Sequence, residues 1–278
     1  MLDFSLIDET FDINNTENYE LSIQFFLNGF SFCIFDKIRQ KFILLERNNN
    51  FTNTNDIFNL ISNNNYFKQK YSNIKIIVES AKSTLLPEGL FSDSNVKKIY
   101  NFNFDDINNK TVFYNKLKAA QAYNIFTIDN VLLEKINNAF YKYNIYNQLS
   151  PYIESNLNFY KNKLQQPIVF INSSYDFFDI LVIQNNKLIL SNSYKYKTIE
   201  DFVFYVMYIY DQLNLNAEKI ETKISGIIDV KTELYKLLKK YIKKISIPKR
   251  YKDFTYSYTF NQIKQQEFYN LFNLTLCE

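Results

Sequence analysis

From Leu21 onward the chain alternates between short apolar runs and polar breaks. In LSIQFFLNGFSFCIFD, Asn28-Gly29 stands between two apolar runs. Both central residues of a type I′ turn need positive φ, so this dipeptide predicts a hairpin. Asp36–Gln40 then turns the chain into a third strand over Lys41–Glu46. A helix is expected around Asp56–Ser62, with Ile57, Leu60 and Ile61 on one side and Thr54 or Asn55 as N-cap. The run IKIIV at Ile74–Val78 is continuous and apolar, the pattern of a strand buried on both faces. Pro87 and Gly89 break the chain after it, a strand pair is predicted within Thr111–Asp129, and a helix over Val131–Tyr141.

The same order begins again at Pro167. Strands are predicted at Ile168–Ile171, Asp176–Ile183 and Lys187–Tyr196, with a turn at Asn185-Asn186. Helix Ile199–Leu213 comes next, capped by Thr198 with Asp201 at its third position, a near capping box. A strand over Ile220–Ser225, then Gly226, leads to a helix over Thr232–Lys244. Two successive segments thus share three antiparallel strands, helix, strand, helix. A helix over Pro151–Gln166, with Ile153, Leu157, Tyr160 and Leu164 periodic, would cross between them. The tail alternates at Phe254, Tyr256, Tyr258 and Phe260, which predicts one more strand, and a final helix carries Phe268, Leu271 and Phe272. The expected division is an N-terminal extension over 1–20, a first lobe over 21–145 and a second lobe over 146–278 that includes the C-terminal strand and helix.

Composition narrows the chemistry. The 278 residues are 46% hydrophobic and 22% charged, as in ordinary globular proteins. Histidine is absent, which removes the commonest general base and metal ligand and excludes Ser-His-Asp and Cys-His triads. The two cysteines, Cys33 and Cys277, form no CxxC pair and cannot hold zinc without histidine, so no metal site is expected. MLDFSLIDET carries acidic residues where a signal peptide has a basic head, and no apolar run reaches the ~20 residues of a membrane span, so a cytoplasmic chain is expected. The net charge of +3 does not favour nucleic acid. The one basic concentration is Lys236–Lys252. On a helix, Lys236, Lys239, Lys240, Lys243 and Lys244 face away from Leu234, Leu237, Leu238, Tyr241 and Ile245, a solvated amphipathic face. The same stripe is the footprint of an adaptor to RNA or anionic membrane.

Particular stretches carry a resemblance: LSIQFFLNGFSFCIFD, STLLPEGLF, SSYDFFDILV, LSNSYKYKTIEDFVFYV, DQLNLN, LYKLLKKYI and LFNLTLCE. Over about Leu21 to Glu278 the chain resembles an uncharacterised bacterial family, domain of unknown function 3822 (DUF3822). That resemblance implies an α/β protein with the actin-like ATPase fold of actin, sugar kinases and heat-shock chaperone ATPases, in which duplicated ribonuclease H-like halves pair mixed sheets with flanking helices. It implies no reaction.

ATPases of that fold grip phosphate with two glycine-rich hairpins and hold hydrated Mg²⁺ with an acidic residue. Here the first hairpin offers Asn28, Gly29 and Ser31. The second, INSSYDFFDILV, offers Ser173, Ser174 and Asp176 beside Asn172, and no glycine. SGIIDVKTEL, with Gly226 and Asp229, resembles the fold's nucleoside-binding turn but carries a single glycine, which reads first as a tight strand-to-helix bend, and Glu79 ends the IKIIV strand at the expected mouth of the cleft. Asp176 and Asp179 fall on opposite faces of a strand and do not converge. No catalytic residue is assigned. The expectation is a degenerate, non-catalytic actin-like scaffold that binds another protein and needs no cofactor, with homo-oligomers left open. The alternatives are an atypical ATPase or kinase using ATP with magnesium, and the RNA or membrane adaptor.

Overall fold

The computed structural model describes residues 2–161 and 166–277. Its first half runs β1 (Leu2–Ile7), β2 (Tyr19–Phe26), β3 (Gly29–Asp36), β4 (Lys41–Asn48), helix α1 (Thr54–Asn63) and β5 (Asn73–Val78). An inserted unit comes next, β6 (Ser83–Pro87), α2 (Val96–Phe104), β7 (Lys110–Leu117) and β8 (Ala122–Asp129). Then come α3 (Asn130–Ala139), β9 (Asn144–Asn147) and α4 (Leu149–Phe159). The second half runs β10 (Ile168–Ser173), β11 (Phe177–Gln184), β12 (Lys187–Lys195), α5 (Ile199–Gln212), β13 (Glu221–Gly226), α6 (Glu233–Tyr241) and β14 (Ile245–Ser246). It ends with β15 (Thr255–Tyr256) and α7 (Tyr269–Asn273).

Two mixed sheets carry the architecture. The first is ordered β1-β4-β3-β2-β5-β9 and the second β12-β11-β10-β13-β14, while β6-β8-β7 forms a separate small sheet. Strands β4-β3-β2-β5-β9 and β12-β11-β10-β13-β14 obey one scheme: two antiparallel pairings, then two parallel ones. The duplication expected from the order of elements is therefore present in the topology. It extends to detail. Ile34 and Phe35 face Leu44 and Phe42, which leaves Ile43 as a bulge. Val182 and Ile183 face Leu190 and Leu188, which leaves Ile189 as the corresponding bulge.

Each sheet is covered on one face by helices of its own half. Ile57, Phe58, Ile61 and Ile136 pack on Leu21, Ile23 and Phe32, and Phe202, Val206 and Ile209 on Val169, Phe178 and Ile180. The opposite faces are covered crosswise. Helix α4 ends the first half but packs Tyr152, Ile153 and Leu157 on Ile168, Phe170 and Leu181 of the second sheet. Helix α7 ends the second half but packs Leu271 and Phe272 on Cys33, Phe35 and Phe42 of the first. The two helices meet where the Tyr269 hydroxyl donates to Asn156 Oδ1 at 3.0 Å. The halves are interlocked, and the ends of their central strands meet at a junction between the two sheets. No helix among the described residues is long and apolar enough to cross a membrane.

Several expectations are corrected. The first hairpin turns on Leu27-Asn28, since Phe26 pairs with Gly29, and neither Asn28 nor Gly29 has positive φ. The type I′ turn lies instead at Asn185-Asn186, with φ of 51° and 61°. Residues Leu2–Ile7 are a strand on the edge of β4, so part of the expected extension belongs to the first sheet. The helix expected over Pro151–Gln166 stops at Phe159, and 162–165 lie outside the described residues. The helix expected to Lys244 stops at Tyr241, so Lys243 and Lys244 leave the face that Lys236, Lys239 and Lys240 form, and Tyr241 is exposed. The tail strand shrinks to Thr255–Tyr256, which pairs with β4 of the first sheet. Beyond it Ser257 accepts from Thr259 N–H and starts a 3₁₀ turn, while Phe254, Tyr256 and Phe260 pack under α7 and Tyr258 is exposed.

Candidate functional site

The place where the two halves meet is set by the ends of the two central parallel strand pairs. On one side Phe25 pairs with Val78, and Glu79 comes next, its N–H donating to Phe25 O at 3.2 Å. On the other side Ser173 pairs with Gly226, and Ile227 comes next, its N–H donating to Ser173 O at 2.8 Å. The register makes these ends equivalent. They face each other across the junction, and the side chains there close it.

The Glu79 carboxylate accepts from Gln24 Nε2 at 2.6 Å and from Ser174 Oγ, across the junction, at 2.5 Å. Burial pushes its pKa up, opposed by those two hydrogen bonds. Tyr175, at the tip of the second hairpin, stacks on Phe26 at 5.6 Å, and Arg47 Nη2 donates to its hydroxyl at 3.3 Å. Arg47 also pairs with Glu267 and lies over the rings of Phe26 and Phe268 at 5.6 and 5.5 Å. What remains is a cavity of about 20 Å³ lined by Ser31, Glu79, Ser173 and Gly226 among others. That is room for about one water, where small-ligand pockets measure about 300–1,000 Å³.

A second polar cluster lies behind the first. Asp179, on β11, is fully buried and accepts from Ser193 Oγ at 2.6 Å, Gln148 Nε2 at 3.2 Å and Asn172 Nδ2 at 3.4 Å. Burial raises its pKa to about 7 despite these bonds, and the nearby Glu79 charge adds to the rise. Gln148 spans the halves: its amide donates to Ser80 O and accepts from Ser80 N–H, both at 2.9 Å.

Of the residues singled out in the sequence, Ser31, Glu79, Ser173 and Gly226 come together at the cavity, with Ser174 joined through Glu79. Asn28 and Asp176 are exposed at the hairpin tips and line none of it. Gly29 packs on β4, where a Cβ would stand 2.1 Å from Asn48 O. Asp229 lies outside the cavity, paired with Lys264 at 2.6 Å, and that lysine holds its carboxyl below the usual range. Lys236, Lys239 and Lys240 stand exposed beside Val230 on α6. Reading the sequence missed Gln24, Arg47, Gln148, Tyr175 and Glu267, and set Asp179 aside after weighing it only as a partner for Asp176. Only Asp179 carried a local signal, a lone carboxylate inside the apolar run FFDILVI. The others depend on which strands become neighbours.

The residues at the junction do not fit a magnesium-bound triphosphate. The Ser174 hydroxyl is committed to Glu79. Gly226 has φ +85°, and a Cβ there would meet Ser173 O at 2.0 Å and Ser173 N at 2.7 Å, so its missing side chain makes room for protein backbone. Among the described residues no group of three His, Cys, Asp or Glu is placed to hold a metal ion.

Residues 8–245 match the model of a family described as a protein of unknown function, DUF3822. No curated protein matches the chain. A solved structure from Bacteroides thetaiotaomicron VPI-5482, a protein with actin-like ATPase fold and unknown function, superposes with a TM-score of 0.81 at 23% identity over 97% of this chain and 100% of that one. A chain of a PilM-PilN type IV pilus biogenesis complex gives 0.56 at 8% identity over 92% and 97%. The ethanolamine utilization protein EutJ from Carboxydothermus hydrogenoformans gives 0.50 at 6% identity over 98% and 93%. With the duplicated sheets, these likenesses establish the actin-like ATPase fold, an α/β architecture of two mixed sheets with flanking helices.

Proposed function

The chain belongs to the DUF3822 family, whose function is unknown, and from that premise we propose that it is a non-catalytic member of the actin-like ATPase fold that serves as a protein-binding scaffold. The observation that carries this reading is the closed junction. Ser174 donates to Glu79, Arg47 donates to Tyr175, and Tyr175 stacks on Phe26 across the place where the fold's two hairpins face each other. Admitting a nucleotide requires breaking a carboxylate–hydroxyl bond and an aromatic stack, at a cost of about 2–4 kcal/mol before any contact to the ligand is made. Binding of another protein asks nothing of that junction. A fold relative occurs within a PilM-PilN complex, which supports association as a use of this architecture.

Isothermal titration of the full chain with ATP and Mg²⁺, run beside a phosphate-release assay, tests the reading. The expected result is no saturable heat and background phosphate release. Saturable micromolar binding with turnover overturns it in favour of an atypical ATPase.

A further inference from the structure

The outer edge of the first sheet is covered by the chain's own strands, and the matching edge of the second is open. The matched bulges define the correspondence: Lys41, Ile43, Leu45 and Asn49 of the first half stand where Lys187, Ile189, Ser191 and Lys195 stand in the second. Along β4, Phe4–Ile7 pairs antiparallel with Leu44–Arg47, and Thr255–Tyr256 pairs parallel with Lys41–Phe42. Among the described residues nothing pairs with the outer edge of β12. The bulge residues differ as well: Ile43 is fully buried in the first half's core, while Ile189 is 49% exposed. A nine-residue edge strand without proline or cover is a template for an added strand.

The covered edge also shows what chemistry suits the open one. Strand β1 reads LDFSLI and leads into Asp8. Asp8 pairs with Lys41 at 2.8 Å, and Asp3 accepts from the Asn49 amide. Lysines, Lys187 and Lys195, occupy both corresponding places in the second half. Beside them, Tyr194 of β12 stacks on Tyr205 of α5 at 4.8 Å, and exposed Phe204 and Tyr208 continue that aromatic surface.

We propose that the outer edge of β12 binds an extended segment of another protein, added antiparallel as a further strand, with apolar residues at alternate positions and a carboxylate toward each end. This deepens the scaffold reading and rests on its premise that the chain binds protein. A second copy of the chain is the poorer occupant. Two-fold pairing of β12 centred on Ser191 sets Lys187 of one copy opposite Lys195 of the other, and like charges directly opposed repel.

The probe is the chain's own segment Leu2–Asp8, LDFSLID, made as a capped fluorescent peptide and titrated into the full chain by anisotropy. Asp8 N–H donates to Ile43 O at 2.8 Å, so by alternation the Leu45 main chain also faces β1, and Ser191 is its counterpart. Ser191→Pro removes the outward N–H and should abolish saturable binding. Lys187→Glu with Lys195→Glu, which leaves the backbone untouched and guards against misfolding of the proline variant, should weaken binding about 10-fold. No saturable binding overturns the proposal. So does binding that both variants leave intact, which would place the peptide on β4 in exchange for β1. A dimer of the chain alone in sedimentation velocity, dissolved by Ser191→Pro, overturns it in favour of self-pairing. None of these outcomes depends on nucleotide, so the scaffold reading and this one fail separately.

Discussion

Phe25, Val78 and Glu79 in the first half stand where Ser173, Gly226 and Ile227 stand in the second, and the exchange of bulk explains how the junction closes. At the first end Phe25 and Val78 pack into the core of their own half, and the Glu79 carboxylate reaches the junction. The second is pared to a serine and a glycine, so that two backbones come within the space of a missing Cβ. Glu79 is the group of this first end that lines the cavity, and Ser173 with Gly226, adjacent strand ends of the second half, forms the socket on its far side. The same register sets Ser31 against Asp179, a small cavity-lining hydroxyl against a fully buried carboxyl. A duplicated topology therefore tolerates opposite side-chain choices at equivalent positions, provided each satisfies its neighbours across the junction.

The sharpest way to break this comparison is to make the two ends alike. Gly226→Ala adds the Cβ that Ser173 excludes and strains a φ of +85°. The expected loss is about 4 kcal/mol or more in urea unfolding. A loss under about 1 kcal/mol would show that the socket is loose.

Next comes Asp179. Its ordinary pKa of 3.8 rises to about 7 through burial, so across that window the folded chain holds a proton that the unfolded chain has released. Stability owed to this group is full below the lower value and falls as pH rises, by about 4 kcal/mol at most by pH 7 and beyond. Asp179→Asn should remove that slope. Unfolding curves from pH 4 to 8 that remain parallel for the two proteins would refute a buried, proton-holding Asp179.

Arg47→Ala tests the clasp between the halves. It removes the pairing with Glu267, the bond to Tyr175 and the cover over two rings, and about 2 kcal/mol of stability should go with them. If the clasp also keeps the junction shut, exchange of the Glu79 and Ser174 amides should quicken in the same variant.

The smallest effect is expected at Gly89, where an added Cβ meets nothing within 4 Å. Gly89→Ala should change stability by less than about 0.5 kcal/mol. A larger change would mean that glycine content, and not the Ser173 contact, explains the Gly226 result.

Much of the fold was legible along the chain. The capping box Thr198–Asp201 forms as its spacing predicts, and the apolar runs at Ile74–Val78 and Ile168–Ile171 are central strands. Edges and ends were not. LDFSLI is too short to declare itself a strand until β4 stands beside it, and the alternating tail reads as a strand although Phe254, Tyr256 and Phe260 are spent on packing under α7. Of the junction, Glu79 and the second hairpin were visible as candidates, while Arg47 and Gln148 read as ordinary polar residues because their partners are 220 and 31 positions away.

By itself, then, the sequence determined the order of elements, their duplication and the poverty of glycine in the hairpins, because periodicity and turn chemistry act over a few neighbouring residues. The tertiary structure alone decided that α4 and α7 trade sheets, that Glu79 meets Ser174, and that one outer edge is covered while, among the described residues, its twin has no pairing strand. Those outcomes depend on which surfaces are brought together across the whole chain, and no local pattern records them.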